Sequence, residues 1–171
     1  MIKKNMLFIF VLFLFFTFPI TAATEDKQTD QENLTMPDEY EGVYLEINKT
    51  QNTLKVYLNG YVVKRFPVAT GKNNLLTPEG KFKIITKVKN PWYLPKNIQG
   101  GDKKNPLGTR WLGLNVPGTG GYKYGIHGTS NPYSIGHHVS LGCIRMHNKD
   151  IEWMYRHIPL GTPVIIKSDM K

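Results

Sequence analysis

Val43, Leu45 and Ile47 alternate with Tyr44 and Glu46, and Leu54, Val56 and Leu58 alternate with Lys55 and Tyr57. A period of two puts apolar side chains on one face of a strand and cannot serve a helix, whose faces repeat every 3.6 residues. Asn59-Gly60 joins the second run to another over residues 61–68. Asn-Gly between alternating runs specifies a type I′ hairpin, because both central residues must take positive φ. This meander commits the first part of the domain to sheet.

The same signals recur downstream. Further strands are expected over residues 81–88, 109–116, 122–127 and Pro163–Lys167, with a loop at 71–80 that turns at Thr77-Pro78-Glu79-Gly80. Residues 90–106, spotted with Pro and Gly, read as a surface excursion able to cover a cleft. One helix is expected, with Asn148 as its cap and Asp150 and Glu152 near its N-terminus. Ile151, Met154, Tyr155 and Ile158 fall on one face of it, and Gly161 and Pro163 follow its end. The fold class is mainly β, an antiparallel sandwich or barrel-like sheet with one packed α-helix.

The chain opens with Lys3 and Lys4, an apolar run over residues 6–18, Pro19, and small residues at Thr21-Ala22-Ala23. That is the layout of a signal peptide over residues 1–23. The alternative is an uncleaved membrane anchor, although about 20 apolar residues are usual for a span. Either way the remainder is expected outside the cytoplasm, associated with the cell wall or secreted. Residues 24–41 hold seven acidic side chains against Lys27 and read as an acidic flexible linker. The segment after it carries 19 basic and 6 acidic residues, and about 130 residues suffice for one core. Its lysines are scattered, so with export the charge speaks against nucleic acid and for anionic wall polymers. Scattered lysines also simply solubilise a surface and blunt sheet edges.

Cys143 is the single cysteine, so it has no internal disulfide partner. In an exported chain a lone thiol is reactive, intermolecular or inertly buried. Its neighbours, Ser140-Leu141-Gly142-Cys143-Ile144-Arg145, favour reactivity. A thiol attacks as thiolate and needs a base or nearby positive charge. Arg145 shares the face of Cys143 if the backbone is extended. His127, sixteen positions upstream and followed by Gly128, is the candidate base. Gly142 would free main-chain N–H groups for a developing oxyanion.

His127-Gly128-Thr129 with Ser140-Leu141-Gly142-Cys143-Ile144-Arg145 resembles the signature of the L,D-transpeptidase catalytic domain, YkuD type. Thr77-Pro78-Glu79-Gly80-Lys81-Phe82 and the segment from Asn105-Pro106-Leu107-Gly108 through Trp111 to Leu114 resemble two further family motifs, in the same order. The domain so identified covers residues 42–169. Many relatives carry His where Leu141 stands. The resemblance implies a Cys143 nucleophile, a His127 base oriented by the Gly128 carbonyl, and Arg145 stabilising charge on the thiolate or on a substrate carboxylate. Gly142, Ser140, Thr77 and Trp111 are the expected substrate-side or oxyanion residues. The implied reaction is attack on a stem tetrapeptide of peptidoglycan, loss of D-alanine, and transfer to a second stem as a 3→3 cross-link. It implies no metal or organic cofactor, and a monomer is expected. Water as acceptor would make the activity an L,D-carboxypeptidase, and loss of catalysis would leave a wall-binding module.

Other residues carry competing readings. His137, His138 and His147 with Cys143 suggest zinc only weakly, since no compact second ligand pair accompanies Cys143-x-x-x-His147. Ser140 lacks a nucleophile elbow and suits a hydrogen-bonded turn. His157 suits a helix C-terminus. Trp92, Tyr93, Trp111 and Tyr122 are either groove or core, with core packing the default.

Overall fold

The computed structural model describes residues 41–73 and 75–169. The proposed signal over residues 1–23 and the acidic segment, apart from Glu41, lie outside the described residues. In chain order the strands are β1 (Val43–Asn48), β2 (Thr53–Leu58), β3 (Tyr61–Pro67), β4 (Thr70–Gly71), β5 (Gly80–Lys89), β6 (Arg110–Leu114), β7 (Gly125–His127), β8 (His138–Ser140), β9 (Ile144–Arg145) and β10 (Pro163–Lys167). Helix α1 (Asn148–His157) precedes the last strand.

The hairpin forms where the pattern puts it. Asn59 (φ 47°) and Gly60 (φ 82°) both take positive φ, and β2 pairs antiparallel with β1 and β3. Eight strands make one sheet in the order β3-β2-β1-β10-β5-β6-β7-β9, and β4 pairs with β8 beside it. β5 is the pivot. Residues 80–83 pair with β10 and residues 84–89 with β6, and the register slips between Ile84 and Thr86. Such an irregularity bends a strand and deepens its twist, so the sheet curls around a shared core.

The sheet is less uniformly antiparallel than the sequence suggests. β10 runs parallel to β1, β9 parallel to β7, and β8 parallel to β4. A parallel neighbour requires a long connection, and the chain between β7 and β9 supplies one, while nearly the whole domain separates β1 from β10. Alternation in β1 also fails in part: Tyr44 is buried, stacked on Tyr57 across the hairpin at 4.5 Å and 7°.

Leu45, Ile47 and Leu54 from one half of the sheet meet Leu112, Leu114 and Ile126 from the other, all fully buried. α1 adds Ile151 and Met154 to this cluster, and Ile158 follows at its end. Tyr155 is half-buried, with Lys87 Nζ 4.9 Å and the Arg110 guanidinium 5.3 Å from its ring centroid. The cap of α1 is His147 instead of Asn148. The Asn148 side chain is engaged elsewhere: its Oδ1 accepts from the Thr109 and Thr129 main-chain N–H groups at 3.3 and 3.1 Å.

Candidate active site

β7 and β9 bring the signature together. Their parallel register sets Ile126 against Ile144 and His127 against Arg145. Registered residues on adjacent strands share a face, so His127 and Arg145 point the same way, and Cys143 immediately precedes β9. β9 is held on both sides. Arg145 exchanges N–H···O bonds with Ala69, each 2.9 Å, and Met146 N donates to the His127 carbonyl at 2.8 Å.

The turn before the thiol is braced by Ser140. Its hydroxyl donates to the Cys143 carbonyl at 2.7 Å and accepts from Gly142 N at 3.0 Å. Gly142 sits at φ 127°, where a side chain would also strike the Leu76 carbonyl and the Tyr124 ring. The Gly142 N–H itself is therefore committed to Ser140. Thr77 is buried as well, its hydroxyl accepting from Gly71 N at 2.8 Å. Ser140 and Thr77 thus brace turns, each hydroxyl accepting from a main-chain N–H.

His127 is 4% exposed, and its Nδ1 lies 2.6 Å from the Gly128 carbonyl. A carbonyl only accepts, so Nδ1 carries the proton and Nε2 of the neutral ring keeps its lone pair. Burial lowers the His127 pKa to about 4, aided by the Arg145 charge and opposed by the Gly128 and Leu107 carbonyls. Burial raises the Cys143 pKa, and a main-chain hydrogen bond from Gly125 and the Arg145 charge only partly offset it. At neutral pH the resting pair is a thiol and a neutral imidazole, because desolvation disfavours both charged forms. The thiol donates to the Lys123 carbonyl at 3.3 Å.

Cys143 opens into a cleft of about 400 Å³. Trp92, Tyr93, Trp111 and Tyr122 all line it, with Leu94 and Leu107. Core packing, the default for these aromatics, holds for Trp111 alone of the two tryptophans. Trp92 is 49% and Tyr122 74% exposed, while Trp111 is 5% exposed and serves core and cleft together. The Trp111 indole N–H donates to the Gly121 carbonyl at 2.8 Å. The excursion over residues 90–106 forms one wall. Buried Asn105 pins it, its amide donating to the carbonyls of Pro91 (2.8 Å) and Gln99 (3.2 Å).

The remaining histidines stand apart. His138 contacts Thr70 Oγ1 (3.0 Å) and Asn52 Nδ2 (3.2 Å). His147 lines a separate cavity of about 450 Å³ at the start of α1. His157 stacks on Trp153 at 4.5 Å and reaches the Trp153 carbonyl through Nδ1 at 2.8 Å. Among the described residues no three His, Cys, Asp or Glu side chains gather as metal ligands.

The sequence matches the YkuD family, the L,D-transpeptidase catalytic domain, over residues 42–166. The chain belongs to this L,D-transpeptidase family. It is 49% identical over 126 residues to the putative L,D-transpeptidase YqjB of Bacillus subtilis, covering 74% of this chain and 72% of that protein. It is 42% identical over 132 residues to the putative L,D-transpeptidase YkuD of the same organism, covering 77% and 70%. The crystal structure of an L,D-transpeptidase from Stackebrandtia nassauensis shares the fold at a TM-score of 0.59 and 22% identity. That match covers 74% of this chain and 56% of the other, so the chain spans little more than half of that structure.

Three contributors to this L,D-transpeptidase site escape a reading of the sequence. Leu107 presents a carbonyl to His127, Lys123 a carbonyl to the thiol, and Asn148 ties two loops to the helix. Main-chain contacts leave no side-chain signal, and Asn148 before Asp150 imitates an ordinary cap.

Proposed function

We propose that the protein is a peptidoglycan L,D-transpeptidase that forms 3→3 cross-links through a thioester on Cys143, with release of D-alanine. One observation carries the reading: Cys143 and His127 belong to adjoining parallel segments beside an aromatic cleft, with the His127 ring held in the Nδ1–H tautomer. As the sulfur attacks the carbonyl of the third stem residue, its proton passes to His127 Nε2. The imidazolium then protonates the departing amine of D-alanine, leaving the thioester. An amine from a second stem attacks, His127 takes its proton, and collapse forms the new amide and returns the proton to sulfur. Water in place of the amine makes the step an L,D-carboxypeptidase reaction.

Arg145 supplies positive charge as sulfur becomes anionic, and main-chain N–H groups stabilise the oxyanion. With Gly142 N committed to Ser140, the Cys143 amide is the donor assigned to that task. Nothing in this sequence of steps calls for a metal. We also propose that the domain works outside the cytoplasm as a monomer, delivered by residues 1–23, its basic surface favouring anionic wall polymers.

Incubating the purified protein with disaccharide-tetrapeptide and following the products by mass spectrometry tests the reading. Cross-linked dimer with loss of D-alanine is expected. Tripeptide alone would assign the carboxypeptidase activity, and unchanged substrate would refute both.

A further inference from the structure

We infer that Lys123 recognises the C-terminal carboxylate of the donor peptide, the carboxylate of the residue that leaves. The inference deepens the transpeptidase reading above and rests on it. Among the residues lining the thiol's cleft, Lys123 is the one basic residue, and no acidic residue is among them. The rest of the wall is dominated by aromatic, aliphatic and proline side chains. A carboxylate entering such a cleft loses hydration and requires a charged or hydrogen-bonding partner.

Position supports the same assignment. The main chain of Lys123 is already at the reacting atom, its carbonyl 3.3 Å from the Cys143 sulfur. The ammonium ends a stem of four methylenes, a reach of about 6 Å from Cα. In a peptide held with its carbonyl carbon against the sulfur, the carboxylate of the next residue lies three bonds away, about 4 Å from that carbon. The two charges therefore fall within reach of each other when the peptide ends one residue past the point of attack. A longer peptide carries its carboxylate out of range.

The side chain is available for this contact. Lys123 is exposed and joins no ion pair among the described residues. Its Nζ lies 5.7 Å from the Tyr124 ring centroid, near the outer limit of a cation–π contact. Its backbone is held by its loop: Trp111 donates to Gly121 at 2.8 Å, and Tyr122 N donates to Thr119 at 3.1 Å. Arg145, the other cation near the thiol, is half-buried on β9 and is not among the lining residues. One cation thus serves the sulfur and the other the substrate.

The test compares a stem tetrapeptide with its C-terminal amide. Binding to Cys143→Ala protein is followed through the fluorescence of Trp92 and Trp111, both of which line the cleft. The acid is expected to bind roughly tenfold more tightly than the amide, a charge-assisted hydrogen bond's contribution. Adding Lys123→Ala should bring the ratio near one, Lys123→Arg should preserve it, and Lys123→Glu should reverse it. An acid-to-amide ratio unchanged by Lys123→Ala, or absent from the Cys143→Ala protein itself, overturns the inference. D-alanine release by protein with Cys143 intact separates the two claims. Lysine-dependent binding without any release defeats the transpeptidase reading and leaves Lys123 standing; release whose acid preference survives Lys123→Ala does the reverse.

Discussion

The Trp111 indole lies nearly parallel to the His127 imidazole, ring centroids 5.5 Å apart at 19°. The same indole donates to Gly121 at 2.8 Å, so one side chain fixes both the ring and the loop that carries Lys123. Trp111→Phe should keep most of the stacking but leave the Gly121 carbonyl unpaired, at a cost of about 1–3 kcal/mol. Trp111→Ala should cost about 3–5 kcal/mol by adding a cavity. Urea unfolding checks the order. Equal losses would mean the packing contributes nothing beyond the hydrogen bond.

Cys143→Ala and Cys143→Ser should abolish D-alanine release while changing the urea midpoint little. The thiol is half-buried at a cleft wall, and its own hydrogen bond to Lys123 is a weak one. Near-normal release by Cys143→Ala would end its assignment as nucleophile.

General-base help is typically worth about 10²–10⁴-fold, so His127→Ala should lose far more activity than changes at His137, His138 or His147. Only His127 has the Gly128 carbonyl holding Nδ1 at 2.6 Å. With its pKa at about 4, kcat/KM should rise through that pH and stay level near neutrality. The raised Cys143 pKa keeps sulfur protonated there, so no second limb is expected in the neutral range. An acid limb near 6.5 would show a solvated imidazole instead.

Stability should follow the same titration. The folded pKa of about 4 lies below the ordinary 6.5, so between these values the unfolded chain binds more protons. Stability present above pH 6.5 is therefore lost as pH falls toward 4, by roughly 3 kcal/mol in all. His127→Gln should remove this component. Urea midpoints for both proteins at several pH values provide the check, since other acid effects are common to both.

Asn148 accepts from two main-chain donors, at Thr109 and Thr129, that otherwise have no partner in its place. Asn148→Ala should destabilise by about 1–3 kcal/mol and slow turnover by loosening the His127-Gly128-Thr129 segment. Asn148→Asp keeps the acceptor and should recover much of both. If Asp behaves like Ala, the two bonds are not what matters.

Much of this was legible before any coordinates because it is local. Asn59-Gly60 needs only its own positive φ values to turn the chain, and alternation in β2 needs only a pleat. The helix face of Ile151, Met154 and Ile158 follows from a 3.6-residue repeat. The Cys143 and Arg145 spacing, with His-Gly-Thr and two further motifs upstream, carried the family.

Tertiary structure decided the rest, wherever two groups distant in sequence compete for one partner. Asn148 abandons the cap because Thr109 and Thr129 need its oxygen, and Gly142 loses its free N–H because Ser140 claims it. The protonation of His127 and Cys143 depends on how many protein atoms exclude water from each, which no residue pattern states. Residue types and their spacing determined which chemistry the chain can hold; burial and hydrogen-bond competition determined in what state it is held.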